Sequence, residues 1–147
     1  MELTRFTDYG LRTLIYLGLR EDGELSSIKD IASVYGISEN HLVKVVHKLG
    51  KLEYINTFRG RGGGISLKKS PGDIRVGDVV RQMEGMGLVE CFPERGGVCC
   101  IAGICNLQSA LGKAASAFLA ELDTVTLADL VDSKLKLKKR LGLAEEK

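Results

Sequence analysis

The chain has 147 residues, 44% of them hydrophobic, and a formal net charge of +2 at pH 7. This size predicts one ordinary domain, or a small domain with an appended element, whose core forms without disulfides. No run approaches the roughly 18 apolar residues that cross a bilayer, and the acidic amino terminus lacks the apolar stretch of a signal peptide. We therefore expect a cytoplasmic protein, in which clustered cysteines bind metal more often than they form disulfides.

The first half of the chain shows the hydrophobic periodicity of three helices. The first covers about residues 4–20. Ser27 opens a short second helix with a capping-box-like sequence, and Gly36 ends it in the left-handed conformation that glycine adopts most cheaply. Ser38 begins the third helix, and its buried stripe has the spacing i, i+3, i+4, i+7. That stripe consists of Leu42, Val45, Val46 and Leu49. The pattern predicts a helix-turn-helix.

Two short strands follow, over residues 54–58 and 65–67, with a glycine-rich tip between them. No Gly-Lys-Ser/Thr ending and no helix follow these glycines, which excludes a phosphate-binding P-loop. Residues 38–69 carry seven basic and two acidic side chains, an excess of five positive charges. We therefore predict a mainly α fold with a small β-wing, that is, a DNA-binding winged helix-turn-helix.

The third helix and the wing supply the candidate DNA contacts. The second helix of a helix-turn-helix enters the major groove with residues near its start facing base edges. The candidates for base contacts are Ser38, Asn40, His41 and Lys44. Those for phosphate contacts are Lys48 and Lys51. Arg59 and Arg61 of the wing tip are predicted to enter a narrow minor groove, where the negative potential is greatest.

The second half of the chain predicts a sensor and a dimerisation element. A helix over residues 76–84 leads into a cysteine-rich loop, and a long amphipathic helix follows that loop. This helix has nowhere obvious to bury its apolar stripe except against the first helix and a second subunit. We predict a homodimer whose two recognition helices, roughly 34–36 Å apart, bind a double-stranded palindromic operator.

The predicted organisation has four parts. These are a DNA-binding domain (1–84), a cluster-binding loop (85–106), a dimerisation helix with a short capping helix (107–133) and a mobile basic tail (134–147). A capping box at residues 126–129 opens the short helix.

All four cysteines lie within fifteen positions, at Cys91, Cys99, Cys100 and Cys105. Their spacing is too wide for the paired knuckles of a zinc ribbon, and adjacent cysteines seldom point at one small ion. An iron–sulfur cluster is larger and binds mainly thiolates. A disulfide-based sensor and another metal remain open alternatives. No nucleophile paired with a base and no pair of carboxylates with a histidine occurs, so we expect no enzymatic activity.

Several motifs together resemble the NsrR repressors, which belong to the superfamily that also contains IscR. They lie in residues 3–12, 37–42, 59–64, 74–80, 89–92 and 126–131. The resemblance implies that Cys91, Cys99 and Cys105 ligate the cluster and that Asp8 of the other subunit is the fourth ligand. It implies a [4Fe-4S] rather than a [2Fe-2S] cluster, which reacts with nitric oxide. The dimer then releases its operator, and nitrosative-stress genes are derepressed.

Two features lie outside this set of ligands. Cys100 has no counterpart among the three ligating cysteines, which leaves an alternative ligand or a redox-active thiol open. IscR-type proteins have a histidine shortly after the last cysteine, where this chain has Asn106, Leu107 and Gln108. That difference favours the NsrR branch. The remaining alternatives are a cluster-free thiol/disulfide switch and a cluster-based sensor of iron or redox status.

Overall fold

The computed structural model describes residues 2–143. The predicted fold class, a mainly helical chain with a two-stranded wing, is confirmed. Among these residues, no helix has both the length and the apolar composition to cross a bilayer. The elements in chain order are α1 (Arg5–Gly18), α2 (Ile28–Tyr35), α3 (Glu39–Lys51), β1 (Ile55–Phe58), β2 (Gly64–Leu67), α4 (Val76–Met83), α5 (Asn106–Leu122), α6 (Leu127–Leu130) and α7 (Lys134–Arg140). We call residues 2–84 the reading head and residues 85–122 the sensor region.

Local capping sets the boundaries of the helix-turn-helix. The Ser27 hydroxyl accepts a hydrogen bond from the Asp30 N–H at 3.0 Å, as predicted for the start of α2. Gly36 ends α2 with φ 63°, the left-handed conformation expected of it. Ser38 is the N-cap residue of α3, but its side chain makes no capping hydrogen bond. Its hydroxyl is therefore available to another partner.

The core of the reading head forms where α1 crosses α3. The predicted stripe of α3 is fully confirmed, because all four of its side chains are buried. Leu14 and Leu17 of α1 and Ile31 of α2 belong to the same hydrophobic core. Burial of such side chains stabilises each by about 1.5–3 kcal/mol relative to exposure, so this packing holds α3 rigidly on the surface of the head.

The wing is an antiparallel hairpin. Ile55 pairs with Leu67, and Phe58 pairs with Gly64. Ser26 adds a short bridge to the second strand, because the backbone N–H of Ile65 donates to the Ser26 carbonyl at 2.9 Å and the return bond is 3.0 Å. These bonds fasten the base of the wing to the segment before α2, while its tip extends outward.

Helix α6 packs in the core of the reading head. Leu127 and Val131 are buried there, close to Gly18 of α1. The Leu127 N–H donates to the carbonyl of Ile74 at 2.8 Å. We predicted this helix as part of the dimerisation element over residues 107–133; in the structure Leu127 and Val131 lie against Gly18 of α1, where the missing side chain lets them approach.

The chain from residue 134 differs from the predicted mobile tail. Residues Lys134–Arg140 form α7. Leu137, Leu141 and Leu143 pack against the core, and Lys138 Nζ lies 3.3 Å from a Glu21 carboxylate oxygen. Leucines four residues apart form one apolar side of a helix, which the abundance of lysines conceals in the sequence. Residues 144–147 of the predicted tail lie outside the described residues.

The sensor region has a different character. No residue of α5 is buried, and Leu107 near its start is 63% exposed. Its far end is attached to α4 by Arg81, whose guanidinium donates to both Asp123 carboxylate oxygens, one at 2.7 Å. Gly77 of α4 allows this approach, because a Cβ there would overlap the Asp123 carboxylate. Within residues 2–143 of one chain, no partner fully buries the apolar stripe of α5.

Candidate DNA interface and cysteine site

The outer face of α3 carries the predicted DNA-binding side chains. Asn40, Lys44 and Lys51 are exposed and lie on the side opposite the buried stripe, while Lys48 is partly buried on a flank. Ser38 is exposed at the amino-terminal end of the helix. Within residues 2–143, neither these lysines nor the wing arginines Arg59 and Arg61 form a salt bridge. Their charges are therefore available to phosphate groups, the arrangement that DNA binding requires.

His41 lies on the flank of α3 that faces α1. Its ring centroid is 6.4 Å from that of Tyr9, and the two rings are inclined by 33°. Close by, the Arg12 guanidinium lies over the Tyr35 ring, 5.8 Å from its centroid. The first turns of α1 thus contact both helices of the helix-turn-helix. The base contact predicted for His41 stays a prediction, and its contact with Tyr9 was not foreseen.

The cysteine loop is folded back on itself by polar contacts. The Gly97 N–H donates to the carbonyl of Glu90 at 3.0 Å, and Arg95 Nε donates to the carbonyl of Gly87 at 2.8 Å. Gln108 in the first turn of α5 donates to the carbonyl of Cys91 at 3.0 Å. These contacts hold the loop in one shape. No motif in the sequence signalled the contacts of Arg95 and Gln108.

The structure brings three of the four cysteines to one cavity. Cys91, Cys99 and Cys100 line a space of about 650 Å³, which Arg95 also borders. Cys105 is the N-cap residue of α5 and does not line this cavity. All four thiols are free, and Cys100 is exposed while the other three are partly buried. Within residues 2–143, no three His, Cys, Asp or Glu side chains converge closely enough to hold a metal ion.

The donor set fits an iron–sulfur cluster by its chemistry. Thiolates are the usual ligands of such clusters, and partly buried cysteines on a glycine-rich loop can enclose one. Asp8, the candidate fourth ligand, lines a different cavity, together with Arg12 and Tyr35. Arg12 Nη2 lies 2.9 Å from Asp8 Oδ2. One chain alone does not bring Asp8 and the cysteines together, so the predicted ligation by Asp8 requires a second subunit.

Comparison with known proteins identifies the family. The family model described as Rrf2, iron-dependent transcriptional regulator, matches residues 3–133. The chain belongs to the Rrf2 family. Two relatives of this Rrf2 protein are each named HTH-type transcriptional regulator NsrR. The one from Bacillus subtilis (strain 168) is 49% identical and covers 99% of this chain and 100% of its own. The one from Geobacillus kaustophilus (strain HTA426) is 49% identical, and the match covers 96% of this chain and 97% of the relative.

Solved structures have the same Rrf2 architecture. IscR of T. potens superposes with a TM-score of 0.73 at 26% identity, covering 90% of this chain and 88% of its own. CymR (YrzC), described as the global cysteine regulator of B. subtilis, superposes with a TM-score of 0.73 at 27% identity. The match covers 90% of this chain and 98% of the CymR chain. The Rrf2 chain is therefore a DNA-binding transcriptional regulator, and the prediction that it is not an enzyme is confirmed.

Proposed function

We propose that this protein is a dimeric repressor that responds to nitric oxide through an iron–sulfur cluster held by Cys91, Cys99 and Cys105, with Asp8 of the other subunit as fourth ligand. The observation that carries the proposal is the position of the cysteine loop. It directly joins α4 of the reading head to α5. A change in its shape therefore acts on both the head and the candidate dimerisation helix.

The proposed dimer is supported by the surface of the sensor region. α5 has an apolar stripe and no buried residue, and Val98, Ile104 and Leu107 are 101%, 82% and 63% exposed. Several large apolar side chains exposed in one region of the chain suit an interaction site. A second copy of the chain would cover it and would bring the partner's Asp8 to the cysteine loop. We propose [4Fe-4S] as the cluster type, following the NsrR resemblance.

The chain's own residues provide the coupling to DNA. When bound, an iron–sulfur cluster supplies iron that reacts with nitric oxide. Asp8 lies in the first turn of α1, and that part of the helix contacts the helix-turn-helix through the Tyr9–His41 and Arg12–Tyr35 pairs. A displacement of the α1 turn is therefore passed to α3. Because the two recognition helices must match two half-sites, a small shift of each weakens operator binding.

The proposal is tested by anaerobic purification, absorption spectroscopy and nitric oxide titration, with operator binding measured in parallel. We expect brown wild-type protein whose visible absorption bleaches as operator affinity falls. Cys99→Ser is expected to lose the absorption and the bound iron, whereas the matched variant Cys100→Ser, at the adjacent position, retains both. Asp8→Ala is expected to bind operator more weakly in the iron-loaded form, with its cysteines unchanged.

The opposite pattern would overturn specific parts of the proposal. If Cys99→Ser kept its iron and Cys100→Ser lost it, Cys100 would replace Cys99 in the proposed set of ligands. If the protein is brown but its operator affinity responds to iron or oxygen supply and not to nitric oxide, the proposed signal is wrong and the proposed cluster stands.

A cluster-free thiol switch is a second candidate, favoured by the shared cavity of Cys91, Cys99 and Cys100. An exposed thiol that lines the same cavity as two others is a candidate for disulfide exchange. A colourless wild-type protein whose operator affinity depends on oxidation, and whose Cys100→Ser variant loses that dependence, would establish this function instead.

A further inference from the structure

A cleft of about 570 Å³ lies between α3 and the first strand of the wing. It adjoins the outer face of α3 and shares Lys51 with it, but none of the predicted base contacts Ser38, Asn40, His41 and Lys44 lines it. It has an apolar floor and a polar rim. The lining residues are Ile28, Val43, Val46, His47, Gly50, Lys51, Glu53, Ile55, Asn56, Thr57, Arg59 and Lys68.

The rim of the cleft carries unused hydrogen-bond donors. His47 and Thr57 are exposed, and Asn56 is partly exposed. Within residues 2–143, none of these three side chains forms a hydrogen bond. A Cβ added to Gly50 of α3 would lie 3.8 Å from Thr57 Oγ1, which places the Thr57 hydroxyl directly beside the recognition helix. The Thr57 hydroxyl and the His47 ring are thus available to a ligand that enters between the helix and the wing. Asn56 precedes Thr57 in the strand, so its side chain projects from the opposite face of the hairpin.

The charge of the cleft favours an anion. Lys51, Arg59 and Lys68 line it, and Glu53 is its single acidic residue. Lys68 hydrogen-bonds the Glu53 carboxylate and thereby lowers the pKa of that group. The negative charge of Glu53 is therefore compensated locally, and the free charges that remain are those of Lys51 and Arg59.

The docking geometry indicates which anion enters. If α3 occupies the major groove and the wing occupies the adjacent minor groove, one sugar–phosphate strand separates them and must pass between the two elements. We propose that the cleft binds this strand, with the Thr57 hydroxyl donating to a phosphate oxygen. The exposed side of Val43, a residue 51% exposed on the same flank of α3, lies against the deoxyribose. The inference rests on the predicted placement of α3 and the wing.

The proposed hydrogen bond of Thr57 differs from a lysine contact in its dependence on salt. Neutral donors release no counterion, so their removal lowers affinity without changing its dependence on salt. Loss of Lys51, in contrast, should flatten the salt slope by about one unit. The two kinds of phosphate contact are therefore separable by measurement.

The test uses Thr57→Val in the full-length protein and a DNA duplex that the wild type has enriched from a random-sequence pool. Valine keeps the shape and the strand preference of threonine but has no hydroxyl. We expect an affinity loss of about fivefold at unchanged salt slope, corresponding to one ordinary hydrogen bond. Duplexes with one neutral methylphosphonate linkage then locate the contact. At one linkage the wild type should lose more affinity than Thr57→Val does.

Two controls accompany this variant. Thr57→Ser keeps the hydroxyl and should restore most of the affinity. Thr124→Val removes a hydroxyl that donates to the carbonyl of Glu121 at 2.7 Å and does not line the cleft, so it should leave DNA affinity unchanged.

The outcomes distinguish a failure of the proposed cleft contact from a failure of the predicted placement of α3 and the wing on DNA. Equal losses for wild type and Thr57→Val at every linkage would overturn the assignment of the cleft, even while Asn40→Ala and Arg61→Gln weaken binding. Full affinity in Asn40→Ala and Arg61→Gln would instead show that α3 and the wing are not placed in the grooves, and the inference would fail with that placement.

Discussion

The reading head and the sensor region are stabilised in different ways. In the head, α3 buries its whole apolar stripe against α1 within one chain. In the sensor region, α5 buries no residue, and the cysteine loop buries only Phe92 of its large apolar side chains and is otherwise held by a few backbone and side-chain hydrogen bonds. A helix that packs fully on its own chain keeps its position, whereas one that does not depends on what binds it. The difference suits a regulator whose DNA-binding part stays folded while its sensor responds.

The largest expected effect compares two leucines. Leu42→Ala removes a fully buried side chain of α3 and should lower the free energy of unfolding by about 3 kcal/mol, since it leaves a cavity in the core. Leu107→Ala removes a side chain that is 63% exposed in α5 and should cost less than about 0.5 kcal/mol in dilute protein. Urea unfolding at low protein concentration measures both. Equal losses would show that α5 is as well packed as the head.

Two glycines sharpen the same contrast. Gly77→Ala in α4 would push a methyl group into the Asp123 carboxylate and should destabilise the chain by about 1–3 kcal/mol. Gly112→Ala in α5 meets no atom within 4 Å and should raise helix stability by about 0.5–1 kcal/mol. If a second copy packs on this part of α5, the Gly112 variant will also dissociate more readily. Thermal unfolding and sedimentation measure the two effects, and an unchanged dimer would place Gly112 outside the interface.

Two serines separate stability from DNA binding inside the head. Ser27→Ala removes the hydroxyl that accepts from the Asp30 N–H and should cost about 1 kcal/mol. Ser38→Ala removes a hydroxyl without a capping bond, so it should cost less stability. Because Ser38 is a predicted base contact, its variant should instead lose operator affinity. Melting temperature and DNA titration distinguish the two serines, and a normal operator affinity in Ser38→Ala would remove Ser38 from the interface.

The smallest expected effect concerns the attachment of α5 to α4. The hydrogen bond from Arg81 lowers the pKa of Asp123, and so the ionised form contributes stability above the ordinary carboxylate pKa. This contribution is lost as the pH falls through the lowered pKa of the folded state. Asp123→Asn should therefore melt below the wild type at about pH 7, and the difference in melting temperature should shrink below about pH 4 and vanish once the pH is below the lowered pKa. If the difference in melting temperature persists in acid, Arg81 and Asp123 stabilise the protein through packing and not through charge.

The helix-turn-helix was predictable because its signals are local. The spacing of Leu42, Val45 and Leu49 and the glycine at position 36 determine a helix, its buried face and its end within a few residues. The cysteine cluster was equally visible, since its members lie close together in the chain. The assignment of Asp8 came from family resemblance alone, because nothing in its own segment marks it as a ligand.

What the sequence by itself determined is therefore the set of local elements, the buried face of α3 and the thiol-rich loop. The tertiary structure decided which distant segments meet. It placed α6 against Gly18, packed the leucines of α7 against the core and put the Thr57 hydroxyl beside Gly50. It also put Cys100 in the cavity with Cys91 and Cys99, and Cys105 outside it. Hydrophobic periodicity records which face a helix buries, but contacts between distant segments depend on shape and are encoded in no short stretch of sequence.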